Sequence, residues 1–344
     1  MSSASAEPTT GSSRYEQMMM LARAYAPSAC LYVAAKLKIA DLLAGGPQPV
    51  SELARRSDAN EDGLYRILRA LASLDVFREG MSRTFANTPL SETLRDDLFG
   101  SARDAVLFMA DPLHMTVYGE LTHTVKTGET AFGKITGMQP FEFFRQNAEE
   151  NSLFNDAMTS MSRQFVQPVM EAYDFGESGT LADIGGGHGI LLGTILRKHR
   201  GLRGIVFDLP NVVRGAEPQI ESLGLRSRCE ILGGDFFEAV PPADSYVMKS
   251  IIHDWDDVRA MTILKNCARA MRGQSGRIIL LEMLVGASNE PSLAKWIDIE
   301  MLAIAGGRER SETEYRDLFA GAGLRLARVV STAGPLAVLE AVKA

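Results

Sequence analysis

The C-terminal half of the chain is constrained by a regular alternation of short apolar segments with helical segments. From Thr180 onward the apolar segments are TLADIG, GIVFDL, CEILGGD, SYVMKS, RIILLEML, LARVVST and LAVLEAV. Such an alternation buries each apolar segment as a strand of a mostly parallel sheet, with helices on both faces. Ala333, Gly334 and Pro335 separate the last two segments and predict a terminal hairpin. We therefore predict an α/β fold with a Rossmann-like sheet of seven strands over residues 176–344.

The composition is that of an ordinary globular chain. Its 344 residues, 46% of them hydrophobic, suffice for two domains with a sizeable core. The net charge of -7 provides no field that attracts nucleic acid or an anionic membrane. No apolar run is long enough to span a bilayer, and the small polar residues 1–13 predict a disordered tail rather than a secretory signal.

The cysteine content favours a reducing compartment. Cys30, Cys229 and Cys267 are odd in number and lack metal-ligand spacing. We therefore expect a cytoplasmic protein with no structural disulfide and no bound metal ion.

Residues 14–100 have the outline of a winged helix. The stretch SELARRSDANEDGLYRILRALASLDVF predicts two short helices around a turn, which Ser51 and Asn60 can cap. Residues 76–88 then predict a small hairpin, and residues 101–175 predict a helical linker that includes part of the substrate pocket. One apolar face of the second helix consists of Leu64, Ile67, Leu68 and Leu71.

A winged helix raises the question of DNA binding, and the local charges argue against it. Between Val50 and Arg83, six arginines are balanced by six acidic residues. The helix that would enter the DNA groove begins with Glu61 and Asp62, which phosphate repels. We therefore predict that this module serves packing or dimerisation, with a ligand-sensing DNA regulator as the less favoured alternative.

The glycine turn DIGGGHG at residues 183–189 follows the first predicted strand, where the ligand of a doubly wound sheet binds. A dinucleotide requires G-x-G-x-x-G. A frame that starts at Gly185 places Ile190 at the third glycine, and a frame that starts at Gly187 places Leu192 there. Because neither frame fits, the turn favours S-adenosylmethionine (SAM) over a dinucleotide.

Acidic residues at the next two strand ends support the same cofactor. Asp208 closes the second strand, where a carboxylate can accept from both hydroxyls of a ribose. Asp235 and Phe236 follow the third strand, where they can bind the adenine amine and pack on the adenine ring. Each acid alone would more commonly cap a helix, but three aligned strand ends favour a cofactor site.

These motifs resemble a known family. The runs DIGGGHG, FDLP, GGDFF, VMKSIIHDWDD, IILLEML and GGRERSETEYRDLFAGAGL resemble the small-molecule O-methyltransferases, which include caffeic-acid-type plant enzymes and bacterial enzymes that methylate aromatic polyketides. The resemblance covers almost the whole chain, and LYRILRALASLDVF is similar to the winged-helix dimerisation module of that family. It implies a class I methyltransferase domain, a homodimer, SAM as cofactor and S-adenosyl-L-homocysteine as product.

The resemblance also implies roles for individual residues in the cofactor site. It implies cofactor contacts for Gly185, Asp208, Asp235, Phe236 and Lys249, and less directly for Ser162 and Arg163. An exposed helical arginine is the alternative for Arg163. Trp255 either packs near the adenine or belongs to the core.

The reaction calls for a base, because a phenol with a pKa near ~10 is poorly ionised at neutral pH. A histidine with a pKa near ~6.5 would serve. His253 follows the fourth strand at the ligand-binding edge of the sheet, which favours it as the base. For the other histidines we expect a solvated His199, a His188 beside the cofactor, and surface or core roles for His114 and His123.

Two acids can orient the base. Glu282 ends the fifth strand, where a buried unpaired acid would be costly, and Glu309 lies in GGRER. Both coincide with the acids that flank the catalytic histidine in the plant enzymes that this chain resembles. Asp254 either contacts the substrate or caps the following helix, and the capping role is favoured.

The resemblance implies an acceptor pocket formed by Phe154, Met158, Met301 and Ala305. Core packing would choose the same residue types. The plant phenylpropanoid enzymes carry asparagine at the position of Ala305, which favours a bulkier aromatic acceptor here. An enzyme that retains SAM but performs decarboxylation or hydroxylation remains an alternative to methyl transfer.

Overall fold

The computed structural model describes residues 13–176, 179–273 and 275–344. The chain forms two compact units, Met1–Met115 and Thr116–Ala344. The predicted tail lies outside the described residues except for Ser13, which caps the first helix by accepting from the Glu16 amide. Among the described residues, every helix is too short or too polar to cross a membrane.

The first unit contains the predicted helix-turn-helix and its wing. Its helices are α1 (Arg14–Ala22), α2 (Tyr25–Lys36), α3 (Ile39–Leu42), α4 (Val50–Ser57), α5 (Glu61–Ala72), α6 (Pro89–Glu92) and α7 (Arg103–Met109). Its strands β1 (Gln48–Pro49), β2 (Phe77–Glu79) and β3 (Thr84–Asn87) form a sheet in the order β1-β3-β2. The antiparallel pairing of β2 with β3 confirms the predicted hairpin.

One of the two predicted helix caps in this unit is correct. The Asn60 side chain accepts from the amide of Gly63, 2.9 Å away, at the start of α5. The prediction for Ser51 is wrong, because α4 already begins at the buried Val50 and Pro49 occupies the cap position. The core beneath these helices includes Leu53, Leu64, Leu68, Leu71, Phe77 and Phe85.

Helices dominate the segment that precedes the large sheet. Helix α8 (Pro112–Gly119) spans the boundary between the units, and α9 (Leu121–Thr127), α10 (Ala131–Thr136), α11 (Pro140–Gln146) and α12 (Ala148–Ala172) follow. Helix α12 has 25 residues and carries four of the predicted site residues, Phe154, Met158, Ser162 and Arg163.

The second unit contains the predicted seven-stranded sheet. Its strands are β4 (Gly179–Ile184), β5 (Leu202–Asp208), β6 (Cys229–Gly233), β7 (Ser245–Lys249), β8 (Ile278–Glu282), β9 (Leu324–Val330) and β10 (Ala337–Lys343). The helices are α13 (Ile190–Lys198), α14 (Pro210–Val213), α15 (Ala216–Ser222), α16 (Asp257–Ala270), α17 (Leu293–Glu300) and α18 (Glu312–Gly321), with a 3-10 turn at Ile252–Asp254 and a π-helical turn at Met301–Ala305. The α/β fold predicted from the alternation is confirmed.

The strand order determines where a ligand can bind. The order is β6-β5-β4-β7-β8-β10-β9, with β4 to β8 parallel and β10 antiparallel to both of its neighbours. The chain therefore reverses its direction of travel across the sheet between β4 and β7, and ligands of such sheets bind at this switch point. At the far side, β10 pairs its Ala337 with Glu282 at the end of β8. Two apolar cores cover the two faces of the sheet.

Candidate active site

The glycine turn after β4 has a backbone that only glycine adopts readily. Gly185, Gly187 and Gly189 have φ angles of +69°, +53° and +75°. A Cβ on Gly185 would lie 2.3 Å from Ile251 Cδ1, whereas a Cβ on Gly187 would meet nothing within 4 Å. The turn thus packs tightly against the segment after β7 and leaves open space beside Gly187.

The Asp183 side chain packs against the backbone of the turn. Its carboxyl oxygen Oδ2 lies 3.0 Å from the position that a Cβ on Gly186 would occupy. Burial raises the pKa of Asp183 to about 7, and the positive charge of Lys249 opposes this shift. Asp183 is therefore buried against the turn.

Asp208 has the free acceptor capacity that a ribose diol requires. Its Oδ2 accepts from the Gly187 amide at 2.8 Å and its Oδ1 accepts from the Leu209 amide at 2.6 Å. Each carboxylate oxygen can accept two hydrogen bonds, so one position on each oxygen remains. Burial raises the pKa of Asp208, and these two amide bonds oppose the increase. The residues around the turn therefore fit a ligand that offers two hydroxyl donors.

The other predicted cofactor residues lie at the neighbouring strand ends. The Gly234 amide donates to the Asp208 carbonyl at 2.9 Å, and Asp235 Oδ1 accepts from the Phe237 amide at 2.8 Å. The Phe236 ring packs edge-on against Trp255, with 6.1 Å between centroids. Lys249 is the last residue of β7. Burial lowers its pKa, although the negative charges of nearby acids act to raise it.

Helix α12 contacts the glycine turn through His188. The Thr159 hydroxyl lies 3.1 Å from His188 Nδ1. Burial lowers the pKa of His188, and the charge of Arg163 lowers it further while Asp156 opposes it. The charge of Arg163 thus acts on a residue of the glycine turn, and its cofactor role stays a prediction. The Ser162 hydroxyl donates to a carbonyl within its own helix at 2.7 Å, so only its lone pairs remain for a ligand.

His253 lies in a buried group of acids that the 3-10 turn after β7 holds at the sheet edge. Its Nδ1 is 2.7 Å from Glu309 Oε1 and 3.9 Å from Glu282 Oε2. Its Nε2 is 3.5 Å from Asp254 Oδ1. The His253 side chain is 11% exposed and both glutamates are fully buried. The structure therefore brings together all three residues that the sequence assigned to catalysis.

The two glutamates have different contacts. Glu282 Oε1 accepts from the amides of Ile251 and Ile252 at 3.2 and 2.9 Å, so Glu282 fixes the backbone that carries His253. Glu309 bonds directly to the imidazole. Potential ligand atoms of His253, Glu282 and Glu309 lie within 4.8 Å of one another, which is also compatible with a metal ion. The distance of 2.7 Å between His253 Nδ1 and Glu309 Oε1 is that of a hydrogen bond. This distance favours a hydrogen-bonded pair over a metal site.

The charge state of His253 differs from the one we expected. Burial lowers the pKa of His253, but the charges of Glu282 and Asp254 and the hydrogen bond to Glu309 outweigh this and raise it to about 10. Burial raises the pKa of Glu282 to about 7 and of Asp254 to about 6. The ring therefore has a higher pKa than the value near ~6.5 that we expected, because three carboxyl groups converge on it.

Asp254 does not cap the following helix. The cap of α16 is Asp256, whose Oδ1 accepts from the Arg259 amide at 2.8 Å. The favoured capping role was therefore wrong, because the 3-10 turn extends through Asp254 before the helix begins. Asp254 instead lies beside His253 Nε2, the ring nitrogen opposite the one that bonds to Glu309.

Aromatic rings connect α11 and α12 with the His253 turn. Phe154 stacks on Phe144, with centroids 4.7 Å apart and planes 13° apart. Phe141 contacts Phe154 edge-on and stacks on Trp255 at 5.4 Å. No residue of α11 was predicted to lie near the site, and the aromatic run at residues 141–144 was the available signal.

The remaining predicted pocket residues lie on α12 and on the π-helical turn. Met158 is half-buried on α12, four residues after Phe154. Met301 is buried and Ala305 half-buried, at the two ends of the π-helical turn. Helix α10 and this turn pack together near Gly306, where a Cβ would lie 3.4 Å from Thr130.

The remaining histidines lie outside this group. His114 is buried and its Nδ1 lies 3.0 Å from Asp111, in agreement with a core role. The His199 side chain is only 9% exposed and packs against Phe175, so the expectation of a solvated His199 is wrong. His123 is a partly exposed neighbour of Thr127.

Comparison with known proteins identifies the family. A model described as an O-methyltransferase domain matches residues 118–325, and one described as an O-methyltransferase dimerisation domain matches residues 19–97. The chain belongs to this O-methyltransferase family. The family uses SAM, so the predicted enzyme class and cofactor are confirmed.

Individual relatives span nearly the whole chain. Phenazine O-methyltransferase PhzM of Lysobacter antibioticus is 39% identical over 325 residues, 94% of this chain and 95% of the relative. The crystal structure of LaPhzM has a TM-score of 0.92 at 38% identity and covers 97% of this chain and 100% of its own. NcsB1, an O-methyltransferase from neocarzinostatin biosynthesis solved with SAM and 2-hydroxy-5-methyl naphthoic acid, has a TM-score of 0.80 at 30% identity, with 93% and 96% covered.

Proposed function

We propose that this O-methyltransferase transfers the methyl group of SAM to a hydroxyl of an aromatic small molecule, with His253 as the base. The observation that carries the proposal is the 2.7 Å contact from His253 Nδ1 to Glu309. It fixes one ring nitrogen and leaves Nε2 as the atom that can take a proton from an acceptor. Glu282 and Glu309 then act as orienting acids.

In this proposal the cofactor lies on the glycine turn. Gly185 permits the close approach of backbone, Asp208 accepts from the ribose, and Asp235 and Phe236 bind the adenine. Lys249, Ser162 and Arg163 complete the cofactor site. When bound, SAM supplies a methyl group already activated on a sulfonium, so the protein has only to align the acceptor and remove its proton.

His253 must be neutral before it can accept that proton. With a pKa of about 10, its ring is protonated at neutral pH in the ligand-free chain. A positive charge bound at the same sheet edge disfavours the imidazolium and lowers the pKa of His253. A cationic ligand at this edge therefore favours the neutral ring that the proposed reaction needs.

The proposed acceptor pocket combines Phe154, Met158, Met301 and Ala305 with Asp254 near the reacting hydroxyl. Stacked rings and thioethers suit a flat aromatic molecule. The aromatic acceptors named for PhzM and NcsB1 support the same class. The small side chain of Ala305 favours a bulky acceptor.

We also propose a homodimer formed by residues 14–100, with residues 101–175 as the helical linker and residues 176–344 as the SAM-binding domain. The dimerisation-domain match supports it. Helix α1 has no buried residue, and Tyr15, Met18, Met20 and Leu21 are 60–73% exposed. Neither DNA nor a membrane is part of the proposal, and the three free cysteines support a cytoplasmic location.

The direct test is incubation with SAM and a panel of aromatic hydroxyl compounds, including hydroxyphenazines, hydroxynaphthoic acids and matched anilines, followed by mass spectrometry. We expect a gain of one methyl group on oxygen. His253→Ala should lower kcat about 10²- to 10⁴-fold without weakening SAM binding, and rising pH should partly restore kcat as the phenol ionises.

Three results would contradict the proposal. Full activity of His253→Ala at neutral pH would leave alignment alone as the catalytic device. A product that has lost carbon dioxide or gained oxygen would establish the decarboxylase or hydroxylase alternative. Salt-sensitive binding to duplex DNA would favour the regulator.

A further inference from the structure

Arg310 is a fully enclosed charge that the proposed reaction does not use. It is 1% exposed and is the largest side chain among those most deeply buried in the described residues. A buried guanidinium is costly unless its donors are satisfied and its charge is paired. Its contacts therefore indicate which part of the molecule this charge holds in place.

All five N–H donors of Arg310 have acceptors. Nε and Nη2 donate to Asp257 Oδ1 at 3.0 and 2.8 Å. Nη1 donates to the carbonyls of Ile252 and Arg308 at 3.1 and 3.3 Å, and Nη2 donates to the Trp255 carbonyl at 2.8 Å. The carbonyls of Ile252 and Trp255 lie on either side of His253 in the sequence, so one rigid group fixes both ends of the backbone that carries the ring.

Residues 307–310 contact that backbone at further points. The Arg308 amide donates to the His253 carbonyl at 2.8 Å. A Cβ on Gly307 would lie 2.0 Å from the same carbonyl oxygen and 2.3 Å from the Asp254 carbonyl carbon, so glycine is required there. Glu309, between these residues, bonds to the imidazole itself.

We propose that Arg310 is a positioning residue for methyl transfer, which acts by fixing the backbone on both sides of His253. This inference rests on the proposed role of His253 as the base. Lysine cannot replace the arginine, because its three donors on one nitrogen cannot reach two separate carbonyls and the Asp257 carboxylate at once.

The primary variant is Arg310→Lys, with Arg316→Lys as the matched control. Arg316 is an exposed arginine that also pairs with a carboxylate, Glu312, on α18. We expect Arg310→Lys to lower kcat for the best phenol of the panel about 10- to 100-fold, because a displacement of about 1 Å has an effect of that order. SAM affinity by calorimetry and the KM of the phenol should change less than about threefold, since the contacts that bind the two ligands in the ground state are retained.

A readout that needs no acceptor is hydrogen exchange of the ligand-free protein. Amides in residues 251–257 should exchange faster in Arg310→Lys and at the wild-type rate in Arg316→Lys. If Arg310→Lys does not fold, Asp257→Asn tests the same contacts from a side chain that is 56% exposed. Asp257→Asn should speed the exchange of these amides and lower kcat, each by a smaller factor than Arg310→Lys does.

A double-mutant cycle separates positioning from general destabilisation. In a His253→Ala background, Arg310→Lys should have little further effect on kcat, because the ring it positions is already absent. An equal loss in both backgrounds, an unchanged kcat, or unchanged exchange at residues 251–257 would overturn the inference. If His253→Ala itself retains full activity, the proposed function fails, and the exchange result still decides whether Arg310 holds this backbone.

Discussion

The hydrogen bond between His253 and Glu309 makes a quantitative prediction for Glu309→Gln. The bond is 2.7 Å long, and removal of Glu309 also removes one of three acids near the ring. A hydrogen bond to a charged group contributes about 1.5–3 kcal/mol. Because one pKa unit corresponds to about 1.4 kcal/mol, the pKa of His253 should fall by about 1 to 2 units.

The assay is NMR titration of the His253 Cε1–H signal in the ligand-free protein, assigned by its absence in His253→Ala. Wild-type His253 should titrate at about 10 and Glu309→Gln below it. In methyl transfer, the rise of kcat with pH should move to lower pH in the variant, while its plateau falls because the ring is less well oriented. Glu312→Gln is the matched control, since Glu312 is exposed and pairs with Arg316.

Stability should follow the same titration. The pKa of His253 is higher in the folded chain than its ordinary value, so folding favours the protonated ring. This stabilisation is complete below about pH 6.5 and is lost as pH rises through about 10. In Glu309→Gln the loss should be complete at lower pH. Identical titration of His253 in the wild type and in Glu309→Gln would refute the reasoning, and so would an equal shift in Glu312→Gln.

Three further predictions concern the residues around the glycine turn and the N-terminal unit. Asp208→Ala should weaken SAM binding by ~2 kcal/mol or more in calorimetry, because a charge-assisted hydrogen bond is lost, and equal binding would contradict the assignment. Gly215→Ala should lower the free energy of unfolding by about 1–3 kcal/mol, because its Cβ would lie 2.4 Å from the His188 ring. Gly45→Ala, with nothing within 4 Å, is the control, and equal denaturation curves would contradict this reading. Met18→Glu should weaken the proposed dimer at least about tenfold in light scattering, since a charge replaces an exposed apolar side chain of α1, and a wild-type monomer at micromolar concentration would contradict the dimer itself.

The sheet and the glycine turn were predictable because local residues determine them. Each strand segment is continuous in sequence, and the three glycines specify a left-handed backbone wherever the turn lies. The ligand-binding edge then follows from the topology of parallel strands. For this reason Gly185, Asp208, Asp235 and His253 could be predicted to lie at one edge of the sheet from their order alone.

The electrostatics of the site depend on distances that sequence spacing does not specify. The pKa of His253 is set by acids that come from β8, from the 3-10 turn and from residue 309. The hydrogen bonds of Arg310 likewise reach Asp257 and Ile252, which lie 53 and 58 positions earlier in the chain. The capping errors at Ser51 and Asp254 have a local origin, since a helix start can move by one or two residues without changing the apolar pattern.

The pairing of β10 between β8 and β9 has a consequence for the order of assembly during synthesis. Glu282 lies at the end of β8, directly opposite Ala337 of β10. While the ribosome is still adding residues 337–343, the edge of β8 has no partner on that side, and its unpaired backbone N–H and C=O groups are open to pairing with other nascent chains. Residues 337–343 thus complete the sheet next to Glu282, the acid that holds the backbone before His253.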